Sequence, residues 1–301
     1  MTARTVLHML SPRPQVSPFD INMAVDAGFD MIFPHANVTA DKVYSLTQDI
    51  IFSRGPTGVK RTAMFIGGRD IGIALDMMET AKKAMVPPFE VSILADPSGA
   101  FTTATALVAA VEKQLQENHN LKMKDCRAIV FGGTGPVGIS TGVIASLAGA
   151  DVTIVDHLSL DTAMQLAEEY NRRCGCNLKG TFASSGASKA WLVARADIIF
   201  NTTKAGIQVL DEEILEDAKR LKVVGDVNAV PPAGIAGVKP RDMGAPLATA
   251  PNSPGAVCVG PLAVGNLKYK IQNAMLRDLL KTEKPVYFDF HEAFTRARKW
   301  V

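Results

Sequence analysis

A short apolar run, residues 128–131, leads straight into Gly133-Thr134-Gly135-Pro136-Val137-Gly138, and this junction restricts the fold more than any other stretch. With Ile129 and Val130 inside it, the run suits a strand buried on both faces. The glycines follow a G-x-G-x-x-G spacing, and residues 137–147 carry small and apolar side chains at helical spacing before a stop at Gly149. Strand, glycine turn and helix are the three parts of a dinucleotide pyrophosphate site. One glycine allows the tight turn, the next lets the backbone approach the phosphates, and the third lets helix pack on strand. The helix N-terminus adds unbonded N–H groups and a partial positive charge. Residues 151–155 read as a second strand ended by Asp156, 23 positions after Gly133. A carboxylate about 20 residues on is where the adenosine ribose is met. The competing reading is an ordinary glycine turn with an exposed acid after the next strand.

The rest of the chain repeats the alternation. Before the glycine turn, strands are expected at residues 5–10, 29–33, 61–66 and 91–94. One helix opens at Ser17 and Pro18 and closes at Gly28. A second spans 39–52 with Thr39 as its cap, and a third spans 70–85. Residues 101–118 form a connecting helix, and Asn118-His119-Asn120 reads as an exposed junction. Further strands are expected near Ala128 and Val152 and at 197–200, 222–225 and 256–259, with helices at 162–173 and 262–281. Such alternation gives an α/β chain: a Rossmann-type parallel sheet domain plus a smaller α/β substrate domain. The smaller domain comprises residues 1–105 with the C-terminal segment 270–301, and the dinucleotide domain residues 106–269.

Composition excludes several other classes. At 301 residues, with 47% hydrophobic and 21% charged residues, the chain can bury a sizeable core. A formal net charge of +2 gives no argument for nucleic acid or an acidic membrane surface. No run reaches the roughly 18 apolar residues of a membrane span, and His8 and early prolines break any signal-peptide core. A cytoplasmic protein is expected. Cys126, Cys174, Cys176 and Cys258 make no disulfide framework, and Cys174-Gly175-Cys176 lacks the further ligands a metal would need. No metal is expected.

Polar residues collect at the expected strand ends. Thr202, Thr203 and Lys204 follow one strand, and Asp226 and Asn228 another, where doubly wound folds hold their ligands. In the first domain Phe19, Asp20, His35, Asn37, Arg54, Asp96, Thr102 and Thr103 lie near turns or helix starts. Asp20 and Thr39 read equally well as helix-entry residues. Lys268 and Lys270, two apart on one helix, point to different faces, so at most one reaches a cleft.

Taken together, SPFDINMAVDAGFD, SLTQDIIFSRGP, FIGG, PPF, ADPSGAFTT, FGGTGPVG, DVNAVPPAGIAG and AVGNLKYK resemble the bacterial NAD(P)-dependent methylene-tetrahydromethanopterin dehydrogenases of one-carbon metabolism. The resemblance covers nearly the full length. It implies hydride transfer from methylene-tetrahydromethanopterin to NAD(P)+, in a cleft between a pterin domain and a Rossmann domain. It further implies that Asp20, Thr102 and Lys268 grip the pterin and orient its one-carbon bridge. Phe19, His35, Asn37, Arg54, Asp96 and Thr103 are then the surrounding substrate contacts. Gly133 to Gly138, with Thr134, Pro136 and Val137, hold the dinucleotide. Asp156, His157, Thr202, Thr203, Lys204, Asp226 and Asn228 complete its site. A homo-oligomer is implied as well, with a trimer as the state suggested.

The reacting carbon loses hydride between two nitrogens whose lone pairs spread the positive charge, so no general acid or base is required. Related enzymes tend to carry glycine and then Arg or His where this chain has Asp156-His157. A carboxylate there suits a ribose 2′-OH and repels a 2′-phosphate, so NAD is expected over NADP. A protonated His157 would offset part of that repulsion. The nearest rival is the same transfer on methylene-tetrahydrofolate. More distant rivals are a dinucleotide sensor without turnover and a dehydrogenase of a small carbonyl compound, which would need a proton donor beside the hydride acceptor.

Overall fold

A computed structural model describes residues 4–281 and 284–301. They divide into two compact units: residues up to 102 with 269–293, and residues 103–268 with 294–301.

The first unit is built on β1 (Val6–Leu10), α1 (Pro18–Asp26), β2 (Met31–His35), α2 (Val43–Phe52), α3 (Pro56–Val59), β3 (Thr62–Ile66), α4 (Ile71–Ala84) and β4 (Ser92–Ala95). Its five strands are all parallel, in the order β12-β4-β3-β1-β2, with β12 (Tyr287–Phe288) supplied by the C-terminal segment. The all-apolar or small stretches TAMFI and SILA are buried throughout, as inner parallel strands must be. MIFPH is half open and accepts Pro34 because it is the edge, where a missing N–H breaks no ladder. Asp70 caps α4 by accepting from the Ile73 N–H at 2.9 Å. Thr39 departs from the expectation. Its hydroxyl makes no capping bond, and the chain first takes a 3-10 turn at Ala40–Lys42 before α2 begins.

The second unit continues from α5 (Ala100–His119) through β5 (Arg127–Phe131), α6 (Pro136–Leu147), β6 (Asp151–Asp156), α7 (Leu160–Cys174), β7 (Leu178–Phe182) and α8 (Gly186–Val193). It goes on through β8 (Ile198–Asn201), α9 (Glu212–Glu216), β9 (Val223–Asp226), β10 (Met243–Pro246), β11 (Val257–Val259) and α10 (Pro261–Asp278). The strand order is β10-β11-β9-β8-β5-β6-β7, parallel except for β10 against β11. From β5 the chain moves out to β6 and β7, then returns to β8 on the other flank of β5. That reversal makes β5/β8 a topological switch point, and a crevice opens beyond the carboxyl ends of these two strands. One sheet face rests on a core that includes Phe131, Ile199, Leu215 and Val224.

His119 is not part of an exposed junction. It ends α5 and its ring nitrogen lies 3.1 Å from the Lys222 carbonyl. The terminal helix α11 (Phe290–Trp300) is shared by the division, and Arg298 reaches Glu112 of α5 with two bonds of 2.6 and 2.7 Å.

Candidate active site

The glycine turn sits at the carboxyl end of β5. Gly135 is the N-cap of α6 and Pro136 its first residue, and no side chain caps the helix. The first-turn N–H groups of Val137 and Gly138 therefore have neither a helical acceptor nor a capping oxygen. A Cβ on Gly135 would meet only the Gly132 carbonyl, at 3.6 Å, so the space over the turn is open. Gly138 is the opposite case. A Cβ there would strike the Gly132 carbonyl and the Gly133 Cα, so helix and turn are in backbone contact. The strained position is Gly132, which the G-x-G-x-x-G template starting at Gly133 passes over. Its φ is +69°, and a Cβ would come within 2.7 Å of the Thr203 nitrogen.

The residues expected around this turn are drawn together. Thr202 donates its hydroxyl to the Phe131 carbonyl at 2.8 Å, tying the loop after β8 to the end of β5. Thr203 donates to Asn201 at 2.7 Å, and Asn201 in turn donates to Asp226 at 2.8 Å. Asp226 is fully buried, and its second oxygen accepts from the Ile235 N–H at 3.0 Å. Burial pushes its pKa up against those hydrogen bonds. Asn228 accepts from Gly206 and Val230 and donates to Pro232, so it organises the loop after β9. Lys204 is exposed.

At the end of β6, Asp156 accepts from Thr134 of the glycine turn at 2.5 Å and from the Leu158 and Ser159 N–H groups at 2.6 and 2.8 Å. Burial works against its charge. The Thr134 hydroxyl, the two N–H groups and the neighbouring His157 overcome it and hold the carboxyl below its ordinary value. An ionised carboxylate thus stands beside an uncapped helix start with open space above the turn. These features fit a nicotinamide dinucleotide.

In the first unit the candidates separate into groups. His35 and Asp96 stand at carboxyl ends of the sheet, on β2 and just after β4. Arg54 is at the opposite end, donating to Thr62 at the start of β3 and to the Arg4 carbonyl. Asp96 is wholly buried and caps α5, accepting the Phe101 and Thr102 N–H groups at 3.0 and 3.1 Å and the Thr102 hydroxyl at 2.6 Å. Thr102 is equally buried and Thr103 half-buried. Asn37 takes a positive φ of 55° in an exposed loop, and Phe19 is half exposed. Asp20, beside Phe19, is only 3% exposed and accepts from Gln272 of α10 at 2.8 Å. Further along that helix face, one turn earlier, Lys268 is 9% exposed, whereas Lys270 points to solvent.

His8 was not singled out by any motif. Its Nδ1 lies 3.0 Å from His35 Nε2, and the rings stack beside Phe33. Burial, then His35 and Arg54, lower the His8 pKa from 6.5 to about 4, and burial lowers that of His35. Between about 4 and 6.5 the unfolded chain binds the proton that folded His8 refuses, so stability falls as the pH drops through that window. Urea melts at several pH values across it should show a shallower slope for His8→Gln than for the wild type. Parallel slopes would remove His8 as the cause.

Among the described residues no group of His, Cys, Asp and Glu could hold a metal ion, and no helix is long and apolar enough to cross a membrane. The family described as methylene-tetrahydromethanopterin dehydrogenase, N-terminal, matches residues 18–98. An NAD(P)-dependent methylenetetrahydromethanopterin dehydrogenase of Methylorubrum extorquens is 42% identical over 295 residues, which is 98% of each chain. The bifunctional protein MdtA of the same organism is 32% identical over 283 residues, 94% of each chain. The fold, at 12% identity, is that of an NAD-dependent malic enzyme from Thermotoga maritima, with a TM-score of 0.60 over 98% of this chain and 84% of that one.

Proposed function

Because this chain belongs to the NAD(P)-dependent methylenetetrahydromethanopterin dehydrogenase family, we propose how its own residues carry out that reaction. Methylene-tetrahydromethanopterin loses a hydride to NAD(P)+ and becomes the methenyl form. What carries the reading is that the likeness runs through both units and not through the nucleotide fold alone. Bound NAD(P)+ supplies the hydride acceptor at its nicotinamide ring. The N–H groups of Val137 and Gly138 take the pyrophosphate in the open space over Gly135, and Asp156 takes the adenosine ribose. Thr202 and the Asn201–Asp226–Asn228 network fix the loops around the turn without themselves needing to touch the dinucleotide.

On the pterin side, Asp20 accepts from the amino and ring N–H groups of the head, and Lys268 donates to its carbonyl. A cation does not help a carbon that is becoming positive, so Lys268 orients the substrate and does not stabilise the transition state. Hydride transfer requires donor and acceptor carbons within about 3–3.5 Å, and holding them there supplies most of the rate. Asp96 keeps the Thr102 hydroxyl proton, which leaves the Thr102 oxygen to act as an acceptor.

An assay of reduced dinucleotide tests the reading. Methylene-tetrahydromethanopterin and methylene-tetrahydrofolate are offered in turn, each with NAD+ and with NADP+. The first pterin with NAD+ is expected to give the highest kcat/KM. Asp156→Ser is expected to narrow the preference for NAD+ over NADP+ by about tenfold, a little over one kcal/mol of lost repulsion. Absence of turnover with either pterin would sink the proposal, and an NADP+ preference in the wild type would reverse the role of Asp156.

A further inference from the structure

We propose that Gln272 is a positioning residue which sets the plane of the Asp20 carboxylate. Asp20 is the third residue of α1, and Ser17 before that helix makes no side-chain capping bond, so the first turn offers the carboxylate no side-chain partner of its own. Its partner comes from 252 residues away: Gln272 Nε2 donates to Asp20 Oδ1 at 2.8 Å, with both side chains buried. The orientation of the amide follows from charge. Turned over, it would set a carbonyl oxygen against a carboxylate.

Rotation of an aspartate carboxylate about its last torsion is broad and roughly two-fold, so an unheld group samples many planes. A hydrogen bond to one oxygen removes that freedom and fixes where the remaining lone pairs point. Two donors on the edge of a flat pterin head can be accepted together only by a carboxylate lying near the plane of the ring. Gln272 supplies that constraint from a helix interior, where its own side chain cannot wander. The inference rests on the reading of Asp20 as the acceptor for the pterin head.

A double-mutant cycle on the full chain tests it, with Gln272→Met and Asp20→Asn made singly and together. Gln272→Met keeps length and loses the donor. It is expected to lower kcat/KM for the methylene pterin roughly tenfold, the worth of one hydrogen bond to a charged group. KM should rise, and the Kd for NAD+ from fluorescence quenching should not change. In the Asp20→Asn background the same substitution is expected to change kcat/KM by less than about twofold, because the group it positions is gone. A residue with a merely structural role would lower the active fraction by the same factor in both backgrounds, with KM unmoved, and that result overturns the inference. Should Gln272→Met not fold, the isosteric Gln272→Glu enters the same cycle, and its carboxylate against Asp20 is expected to cost more than the methionine. If Asp20→Asn alone leaves kcat/KM unchanged, the reading of Asp20 fails and this inference with it. If Asp20→Asn is impaired while the Gln272 variants match the wild type, only the positioning role is lost.

Discussion

Gly138→Ala is expected to lose dinucleotide binding and a large part of the stability together. The added methyl would strike backbone on the far side: the Gly132 carbonyl oxygen, the Gly132 carbonyl carbon and the Gly133 Cα, the last at 2.7 Å. Side chains can rotate out of such a clash, but a turn pinned between β5 and the Thr202 hydroxyl cannot. Relief therefore moves the start of α6 away from the turn, separating the N–H groups that would meet a pyrophosphate. The loss of stability should be about 2–4 kcal/mol, the range of overpacked and strained sites. The Kd for NAD+ should rise more than about tenfold where the variant remains folded. Gly135→Ala separates the two effects. Its methyl meets one atom at an ordinary contact distance of 3.6 Å, and the φ of −80° is open to alanine. It should melt like the wild type and still bind NAD+ more weakly, because the methyl fills the space over the turn. A Gly138→Ala protein with wild-type Tm and Kd would show that the helix start tolerates displacement, and would remove the glycine turn from the proposed site.

The parts of this molecule legible in its sequence are those where local pattern and tertiary environment agree. Strand β5 is apolar because it is central, and Gly133 to Gly138 follow because the turn and helix must approach closely. Strand β7 was hidden. LKGTF holds one buried residue, since an edge strand need not be apolar, and Gly180 and Lys179 read as loop. Strand β10, MGAP, is shorter still, with Gly244 at a φ of +85° and a proline at its end. Gly132 escaped notice because a spacing template records which positions are glycine, while the requirement for glycine comes from a loop 70 residues away. The same distance problem divides the candidate site. Asp96 follows a strand, as ligand residues do, yet its three donors all come from the first turn of α5. Arg54 looked equally suitable, but its contacts lie at the amino ends of the strands. Nothing near Gln272 in the chain marks it as the partner of Asp20.

Asp20→Asn is expected to lower kcat/KM for the methylene pterin by at least about 100-fold. The replacement is nearly isosteric, and its remaining carbonyl can still accept from Gln272, so the fold of the first unit should survive. What it removes is the second acceptor and the charge. The amide presents a donor where the carboxylate presented an oxygen, so one N–H of the pterin head faces an N–H of the protein. Hydrogen bonds to a charged group contribute about 1.5–3 kcal/mol each, and leaving a buried donor unmatched costs a similar amount again. The division of the loss between kcat and KM identifies what Asp20 does. An anchor that binds ground state and transition state alike raises KM and leaves kcat unchanged. A residue that also aligns the one-carbon bridge lowers kcat as well, since a displacement of about 1 Å from hydride-transfer geometry can itself cost about 100-fold. Both terms are expected to move, with the larger share in kcat, because this chemistry has no acid or base whose loss could be compensated. Lys268→Met should show the same pattern, as its buried ammonium grips the other side of the same head. Retention of kcat/KM within about threefold in both variants would place the pterin elsewhere and leave these two buried charges as elements of the fold.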